Sequence, residues 1–237
     1  MVLIRVLVTR PEPEAGQTAA RLAGLGFAPI MLPLSRICAL KIDAPALARQ
    51  QGVAVTSINA LRHAAPELIE SLVHLPCYAV GARTAQAARQ AGFFHVEEGQ
   101  GDAITLAERI IAASSGKLVY LCGKVRFTGF EERLAASGVQ IKALETYDTV
   151  MLDYTDESIH ACLGGQPVGA IMLYSAQAAL AMRALLQREN LQILFEKAQV
   201  LTLSKRIAEA LGAEFMKRVN IARQPSQDAL LALLPAP

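Results

Sequence analysis

The chain contains no tryptophan, and aromatic residues make up only 5 % of its 237 positions. A core built from it is filled by aliphatic side chains and alanine, which favours closely packed helices. Excess charge of either sign is also missing: Lys plus Arg number 23 against 21 Asp plus Glu, a formal net charge of +2. An electrostatic nucleic-acid binder carries a basic excess or stripe, so nucleic acid is not an expected partner. Charged residues are 19 % and hydrophobic ones 53 %, which excludes a disordered chain. No charge-free stretch reaches the roughly 18 apolar residues that span a bilayer. The richest one, residues 169–182, is interrupted by Ser175 and Gln177. Arg5 and Arg10 stand too close together to flank the apolar segment of a signal peptide. A soluble cytoplasmic protein without a membrane partner is expected.

Metal and redox signatures are missing too. Cys38, Cys77, Cys122 and Cys162 lie far apart and form no CxxC pair, so they read as buried small hydrophobes in a reducing compartment. His63, His74, His95 and His160 form no HxxxH or HExxH, and no metal site is indicated. There is no GxxxxGK[ST] phosphate loop and no GxSxG elbow. Gly24-Leu25-Gly26 follows a helical pattern rather than opening one, so it is no dinucleotide fingerprint. No cofactor is expected. A substrate that reacts by its own chemistry, or a binding module, fits that absence.

Short β-rich runs alternate with amphipathic helical patterns. At about 150 residues per domain the length suits one large domain or two small ones. Strands are expected over residues 2–8, 27–32, 53–55, 77–80, 117–121, 139–144, 170–174, 200–203 and 218–221, with a first helix over 14–23 that Gly24 or Gly26 stops. This alternation predicts an α/β fold with parallel sheets covered on both faces.

Internal similarity refines the organisation. VAVTSINA from Val53 resembles IMLYSAQA from Ile171, with Ser57 over Ser175. VGARTAQA from Val80 resembles LSKRIAEA from Leu203, with Arg83 over Arg206. Asp102-Ala103-Ile104 resembles Asp228-Ala229-Leu230, and each Asp is a candidate N-cap. In a fourth pairing Arg21, Leu22 and Gly26 lie over Arg133, Leu134 and Gly138, all at offset 112. That unit opens the chain, whereas its partner closes the middle block. Interleaving explains the order. Residues 1–34 and 153–237 then form a discontinuous domain 1, residues 41–144 an inserted domain 2, and residues 35–40 and 145–152 the linker strands, with a cleft expected between the domains.

Ligands of open α/β sheets bind at the carboxyl ends of the strands, where loops enter helix N-termini. The loops there carry Thr9 and Arg10; Thr56, Ser57 and Asn59; Gly81, Arg83 and Thr84; Gly123, Lys124 and Arg126; Ser175 and Gln177; and Ser204, Lys205 and Arg206. Hydroxyls, guanidinium groups and unpaired helix N–H groups suit an anion with dispersed carboxylates or phosphates.

VLVTRP from Val6, VTSINAL from Val55, YAVGARTAQAARQAG from Tyr78, GAIMLYSAQA from Gly169 and QPSQDALLALL from Gln224 together resemble the uroporphyrinogen-III synthase family across nearly the whole chain. The resemblance implies two flavodoxin-like domains, parallel sheets flanked by helices, joined by a two-stranded β-ladder linker. It implies a lyase of tetrapyrrole (haem) biosynthesis that needs no cofactor, is monomeric, and receives hydroxymethylbilane by transient handover from hydroxymethylbilane synthase. In that reaction the bilane loses its ring-A hydroxyl, and the resulting azafulvene attacks the substituted carbon of ring D. A spirocyclic intermediate then fragments and recloses with ring D inverted. Tyr147, within ALETYDTV, matches the family's return-linker tyrosine and is the implied acid. Thr9, Arg10, Ser57, Asn59, Gly81, Arg83, Thr84, Gly123, Lys124, Arg126, Ser175, Ser204, Lys205 and Arg206 are the implied or candidate substrate contacts. Ser204-Lys205-Arg206-Ile207-Ala208 departs from the Gly-Pro-x-Thr-Ala of many members, and Asn59 stands where a basic residue can occur. The alternative reading is a hinged two-domain binder or sensor of a small polyanion.

Overall fold

Helices alternate with strands along the chain because apolar four-residue runs are followed by amphipathic stretches. The computed structural model describes residues 3–42, 47, 49–113 and 116–235. The strands are β1 (Arg5–Val8), β2 (Ala28–Met31), β3 (Ser35–Ala39), β4 (Gly52–Val55), β5 (Cys77–Ala79), β6 (Val96–Glu98), β7 (Lys117–Gly123), β8 (Gln140–Met151), β9 (Ala170–Leu173), β10 (Gln199–Thr202) and β11 (Val219–Ile221). The helices are α1 (Glu14–Gly24), α2 (Ile58–Arg62), α3 (Pro66–Leu72), α4 (Ala82–Gln90), α5 (Ala103–Ala112), α6 (Gly129–Ala136), α7 (Asp156–Leu163), α8 (Ala176–Leu186), α9 (Gln192–Phe195), α10 (Lys205–Leu211) and α11 (Gln227–Leu231). Two units result, one from Met1–Arg36 with Val150–Pro237 and one from Ile37–Thr149.

The sheet of the first unit runs β11-β10-β9-β1-β2, with parallel neighbours throughout. Numbered within the unit, that is the 2-1-3-4-5 order of flavodoxin-like sheets. The second unit runs β3-β8-β7-β4-β5-β6, parallel from β8 to β6. Its chain order differs, yet it becomes 2-1-3-4-5 when reading starts at β7. The matches found in the sequence therefore join elements with the same place in each sheet: β7-α6-β8 answers β1-α1-β2, and β4 and β5 answer β9 and β10. Gly26 and Gly138 even share the same task. Both follow the first helix of the set with positive φ, 84° and 80°, a conformation that only glycine adopts at no steric cost.

Both faces of each sheet are buried, so consecutive strand residues enter different cores. Leu7, Ile171 and Leu173 pack on one face of the first sheet, whereas Val6, Val8 and Met172 pack on the other. In the second sheet Val53, Val55, Val119 and Leu121 share one face, and Ala54, Leu118, Tyr120 and Cys122 the opposite one. Parallel strands covered on both sides read as continuous apolar runs for this reason.

Several expectations change. Residues 139–144 and the linker at 145–152 are mostly one strand, β8. The strand expected over 2–8 is observed as Arg5–Val8, Val2 lying outside the described residues. The edge strand β6 had no sequence signal, because Val-Glu-Glu pairs through its backbone and leaves its side chains largely in solvent. Asp102 caps α5, its Oδ1 accepting the Thr105 N–H at 2.8 Å. Asp228, however, lies inside α11; Ser226 caps that helix by accepting the Ala229 N–H at 3.2 Å. Asp228 instead pairs with Arg21. Cys77 and Cys122 are buried, but Cys38 is only half-buried and Cys162, in α7, is exposed. No helix among the described residues is long and apolar enough to cross a membrane.

Phe195, 1 % exposed, fills the first unit's core beside Leu194 and Val200. Phe195→Ala is expected to destabilise that unit by about 3–5 kcal/mol, read as a shifted urea midpoint; a loss under about 1 kcal/mol would mean that the packing is not as described.

Candidate functional site

The order of each sheet creates a switch point, where neighbouring strands send their connections to opposite faces and leave a crevice at the carboxyl ends. In the second unit it lies between β4 and β7, whose register pairs Val55 with Leu121. A pocket of about 340 Å³ opens there, lined by Thr56, Ser57, Tyr120, Gly123, Arg126 and Tyr147, with Val80, Val125 and Phe127 as apolar wall and Gly101, Asp102 and Ala103 at the rim.

Tyr147 reaches this pocket through an irregularity in β8. Cys122 pairs with Glu145, but Gly123 pairs with Tyr147, so Thr146 is one residue more than β7 can match. This is a β-bulge, a device that re-aims side chains. Thr146 is fully buried, and its Oγ1 donates to the Ala60 carbonyl at 2.8 Å. The Leu40 N–H donates to the Thr146 carbonyl at 2.9 Å. The bulge is thus pinned from two sides, and the Tyr147 ring beyond it lies directly on Gly123. A Cβ on Gly123 would stand 2.6 Å from Tyr147 Cζ and 2.9 Å from its hydroxyl. The missing side chain of Gly123 is what admits the phenol, and Gly123 itself lines the pocket.

Around the ring, Ser57 caps α2 by accepting the Asn59 N–H at 3.2 Å, and both residues are half-buried. Thr56 Oγ1 and the Tyr120 hydroxyl are 2.7 Å apart. Burial pushes the Tyr120 phenol up to about 12, and the Cys122 thiol likewise up to about 12. Gly81 precedes α4 and packs against Gly101. Thr84 is buried on the inner side of α4.

The expected cations divide sharply. Arg126 binds both carboxylate oxygens of Glu131, at 2.7 and 3.1 Å, and reaches Glu145 at 2.8 Å. Its bonds to Glu131 hold the guanidinium further above its ordinary pKa. It lines the pocket but is committed to the protein. Lys124 lies 3.6 Å from Asp148, and Lys205 lies 3.6 Å from Glu209. Arg10 stacks 4.5 Å over the Tyr174 ring and donates to Gln227. Arg83 and Arg206 are exposed and have no ion-pair or hydrogen-bond partner among the described residues.

The first unit has its own switch point, between β1 and β9. There Thr9 is fully buried, and its Oγ1 donates to the Met172 carbonyl at 2.6 Å, a cross-strand tie. Ser175 caps α8 by accepting the Ala178 N–H at 3.1 Å. Ser204 stands at the cap position of α10 without a side-chain bond. The structure thus brings Ser57, Gly123, Arg126 and Tyr147 together at one pocket. Thr56, already read in the sequence as a hydroxyl of that strand-end loop, completes it together with Tyr120, Val125 and Phe127, which were not singled out. Of these last three, only Tyr120 carried a signal: a lone hydroxyl-bearing side chain within the aliphatic run of β7.

The family model described as uroporphyrinogen-III synthase HemD matches residues 16–232. The chain belongs to the uroporphyrinogen-III synthase family. A search of curated protein sequences finds no match. Solved structures do match: the uroporphyrinogen-III synthetase of Helicobacter pylori is 19 % identical with a TM-score of 0.67, covering 98 % of both chains. A mutant uroporphyrinogen III synthase from the extremely thermophilic bacterium Thermus thermophilus is 17 % identical with a TM-score of 0.52, covering 97 % of this chain and 96 % of that one. At such identities the likeness establishes the fold. Family membership makes this chain an enzyme of tetrapyrrole synthesis.

The contact between Gly123 and Tyr147 gives a direct test. Gly123→Ala is expected to cost about 1–3 kcal/mol of unfolding free energy through overpacking, and to change the near-ultraviolet tyrosine dichroism. In a Tyr147→Ala background the same substitution is expected to cost almost nothing, since the ring it strikes is gone. Equal costs in both backgrounds would place the ring elsewhere.

Proposed function

We propose that this chain is a cyclising hydro-lyase that closes hydroxymethylbilane to uroporphyrinogen III with loss of one water. The observation that carries the reading is Tyr147, set by a bulge on a switch-point pocket in a member of this family. Hydroxymethylbilane loses its ring-A hydroxyl spontaneously in water and closes without inversion, so the protein's task is chiefly orientation. The pocket, near the lower end of the roughly 300–1,000 Å³ usual for small-molecule sites, suits one substituted pyrrole rather than the whole chain of four. Val80, Val125 and Phe127 offer it apolar contact. The Tyr147 phenol donates a hydrogen bond, and then its proton, to the departing hydroxyl. Loss of that group leaves the azafulvene carbon, which bonds to the substituted carbon of ring D. The spirocycle breaks its other bond at that carbon and recloses with ring D reversed. The proton on the newly bonded ring-D carbon is then lost, which restores the pyrrole, and reprotonation of the Tyr147 phenolate closes the balance.

The substrate's acetates and propionates need cations that are not already neutralised. Arg83 and Arg206 fill that role; Arg126 holds the β7–α6 loop in place instead. Ser57 and the loop N–H groups serve the remaining oxygens.

The test is the isomer ratio of uroporphyrinogen formed from fresh hydroxymethylbilane with and without the protein. Isomer III is expected to predominate; isomer I alone, at the background rate, would overturn the reading in favour of a polyanion binder. Tyr147→Phe is expected to slow turnover about 10- to 100-fold while the enzymatic product stays isomer III. This lies at or below the usual general-acid contribution of about 100- to 10,000-fold, because the azafulvene also forms unaided. Isomer I above the uncatalysed background in that variant would assign inversion to the phenol rather than to geometry. For Arg83→Ala and Arg206→Ala, steady-state kinetics are expected to show KM raised about 3- to 10-fold and kcat changed less than twofold, the signature of lost uniform binding. An unchanged KM would return both side chains to solvent.

A further inference from the structure

Tyr120 has no place in the reaction just described, yet it is an odd residue to find where it is. It is 1 % exposed, packed with its ring centroid 4.9 Å from that of Phe130, in a mostly apolar core that includes Leu106, Ile110 and Leu134. A phenylalanine would fill that space without a polar atom to satisfy, and a buried hydroxyl is costly unless bonded. Its one hydrogen-bond partner among the described residues is Thr56 Oγ1, at 2.7 Å. Thr56 follows the last residue of β4 and Tyr120 lies in the adjacent β7, so the pair bridges the switch point beneath the pocket that both line.

A single proton occupies the line between two hydroxyls. A phenol is the more acidic group and the better donor, which favours Tyr120 O–H as the donor and Thr56 Oγ1 as the acceptor. The Thr56 proton is then left without an acceptor among the described residues, while Thr56 itself is half-buried at the pocket wall. A hydroxyl that accepts one hydrogen bond becomes a stronger donor of the next.

We propose that Tyr120 is a positioning residue that acts through Thr56: it turns the Thr56 hydroxyl toward the pocket and polarises it, so that Thr56 donates to an oxygen of the bound tetrapyrrole. This rests on the cyclisation reading above, and adds a second donor beside Tyr147. No bond is made or broken by the pair; it supplies orientation and one hydrogen bond. The Tyr120 phenol stays protonated through the physiological range, as its raised pKa requires.

The experiment is a double-mutant cycle on the full chain, with Tyr120→Phe, Thr56→Val and their combination, and with Thr56→Ser as the conservative variant. Each protein is assayed for kcat, KM and isomer ratio with hydroxymethylbilane, and titrated calorimetrically with uroporphyrinogen III under anaerobic conditions. Thr56→Val is expected to lower kcat/KM about 10-fold and Tyr120→Phe about 3- to 10-fold. The double variant is expected to be no worse than Thr56→Val alone, and Thr56→Ser to stay within about twofold of the parent. Losses that multiply in the double variant would overturn the proposal, as would Tyr120→Phe within twofold of the parent or Thr56→Ser as poor as Thr56→Val. The last comparison can overturn the proposal even if Tyr120→Phe fails to fold. A parent protein that binds uroporphyrinogen III but makes no isomer III sinks the cyclisation reading, and the binding cycle then judges the pair by the same criteria. A parent that neither binds nor reacts sinks both.

Discussion

A parallel strand cannot return to its neighbour through a tight turn. Each connection must climb over a face of the sheet, usually as a helix, and so both faces become buried. From this constraint follow the aliphatic runs of β4, β7 and β9, buried along nearly their whole length. It also fixes where chemistry happens, because all strands of a sheet end on the same side and only their exit loops are free of packing duty. The low aromatic content fits: the cores on the two faces of each sheet are filled mainly by Val, Leu, Ile and Ala, with a few rings such as Phe195 and Phe130.

The two sheets share one order but enter it at different points, and their switch points are closed by different means. In the first unit a buried threonine, Thr9, ties β1 to the Met172 carbonyl, which leaves its hydroxyl proton engaged. In the second unit the tie is between side chains, Tyr120 and Thr56, and a hydroxyl proton remains. The bulge at Thr146 and the bare backbone of Gly123 then bring a second phenol to the same place. The second unit thus concentrates donors where the first uses its threonine for cohesion.

Those parts of the fold that depend on local pattern could be read in the sequence. Apolar runs, glycine stops and serine caps such as Ser57 and Ser175 need only neighbours along the chain, and the internal offsets carried the topology. Features decided between distant segments could not. Nothing in ALETYDTV marks Thr146 as the extra residue, since the bulge exists only against β7. The pairing of Arg126 with Glu145 spans 19 positions, so the sequence shows a cation near the site but not its engagement. Asp228 looks like Asp102, yet Ser226 stands two residues earlier and takes the cap, which frees Asp228 for Arg21. Tyr120 and Thr56, 64 positions apart, likewise meet only through the pairing of β4 with β7.

The two unpaired arginines carry the argument about substrate charge furthest. Arg83 and Arg206 are each the second residue of a helix, α4 and α10, at equivalent places in the repeated units. A cation in the first turn opposes the helix dipole, which favours negative charge there. Neither is compensated by a carboxylate among the described residues, although Arg126 and Arg10 show that this chain can supply partners to cations at strand ends. The arrangement is unfavourable in the empty protein twice over. An anion bound there would offset that cost, because the guanidinium and the first-turn N–H groups would face the same charge. In the reaction proposed above, the carboxylates of the bilane would supply such charges.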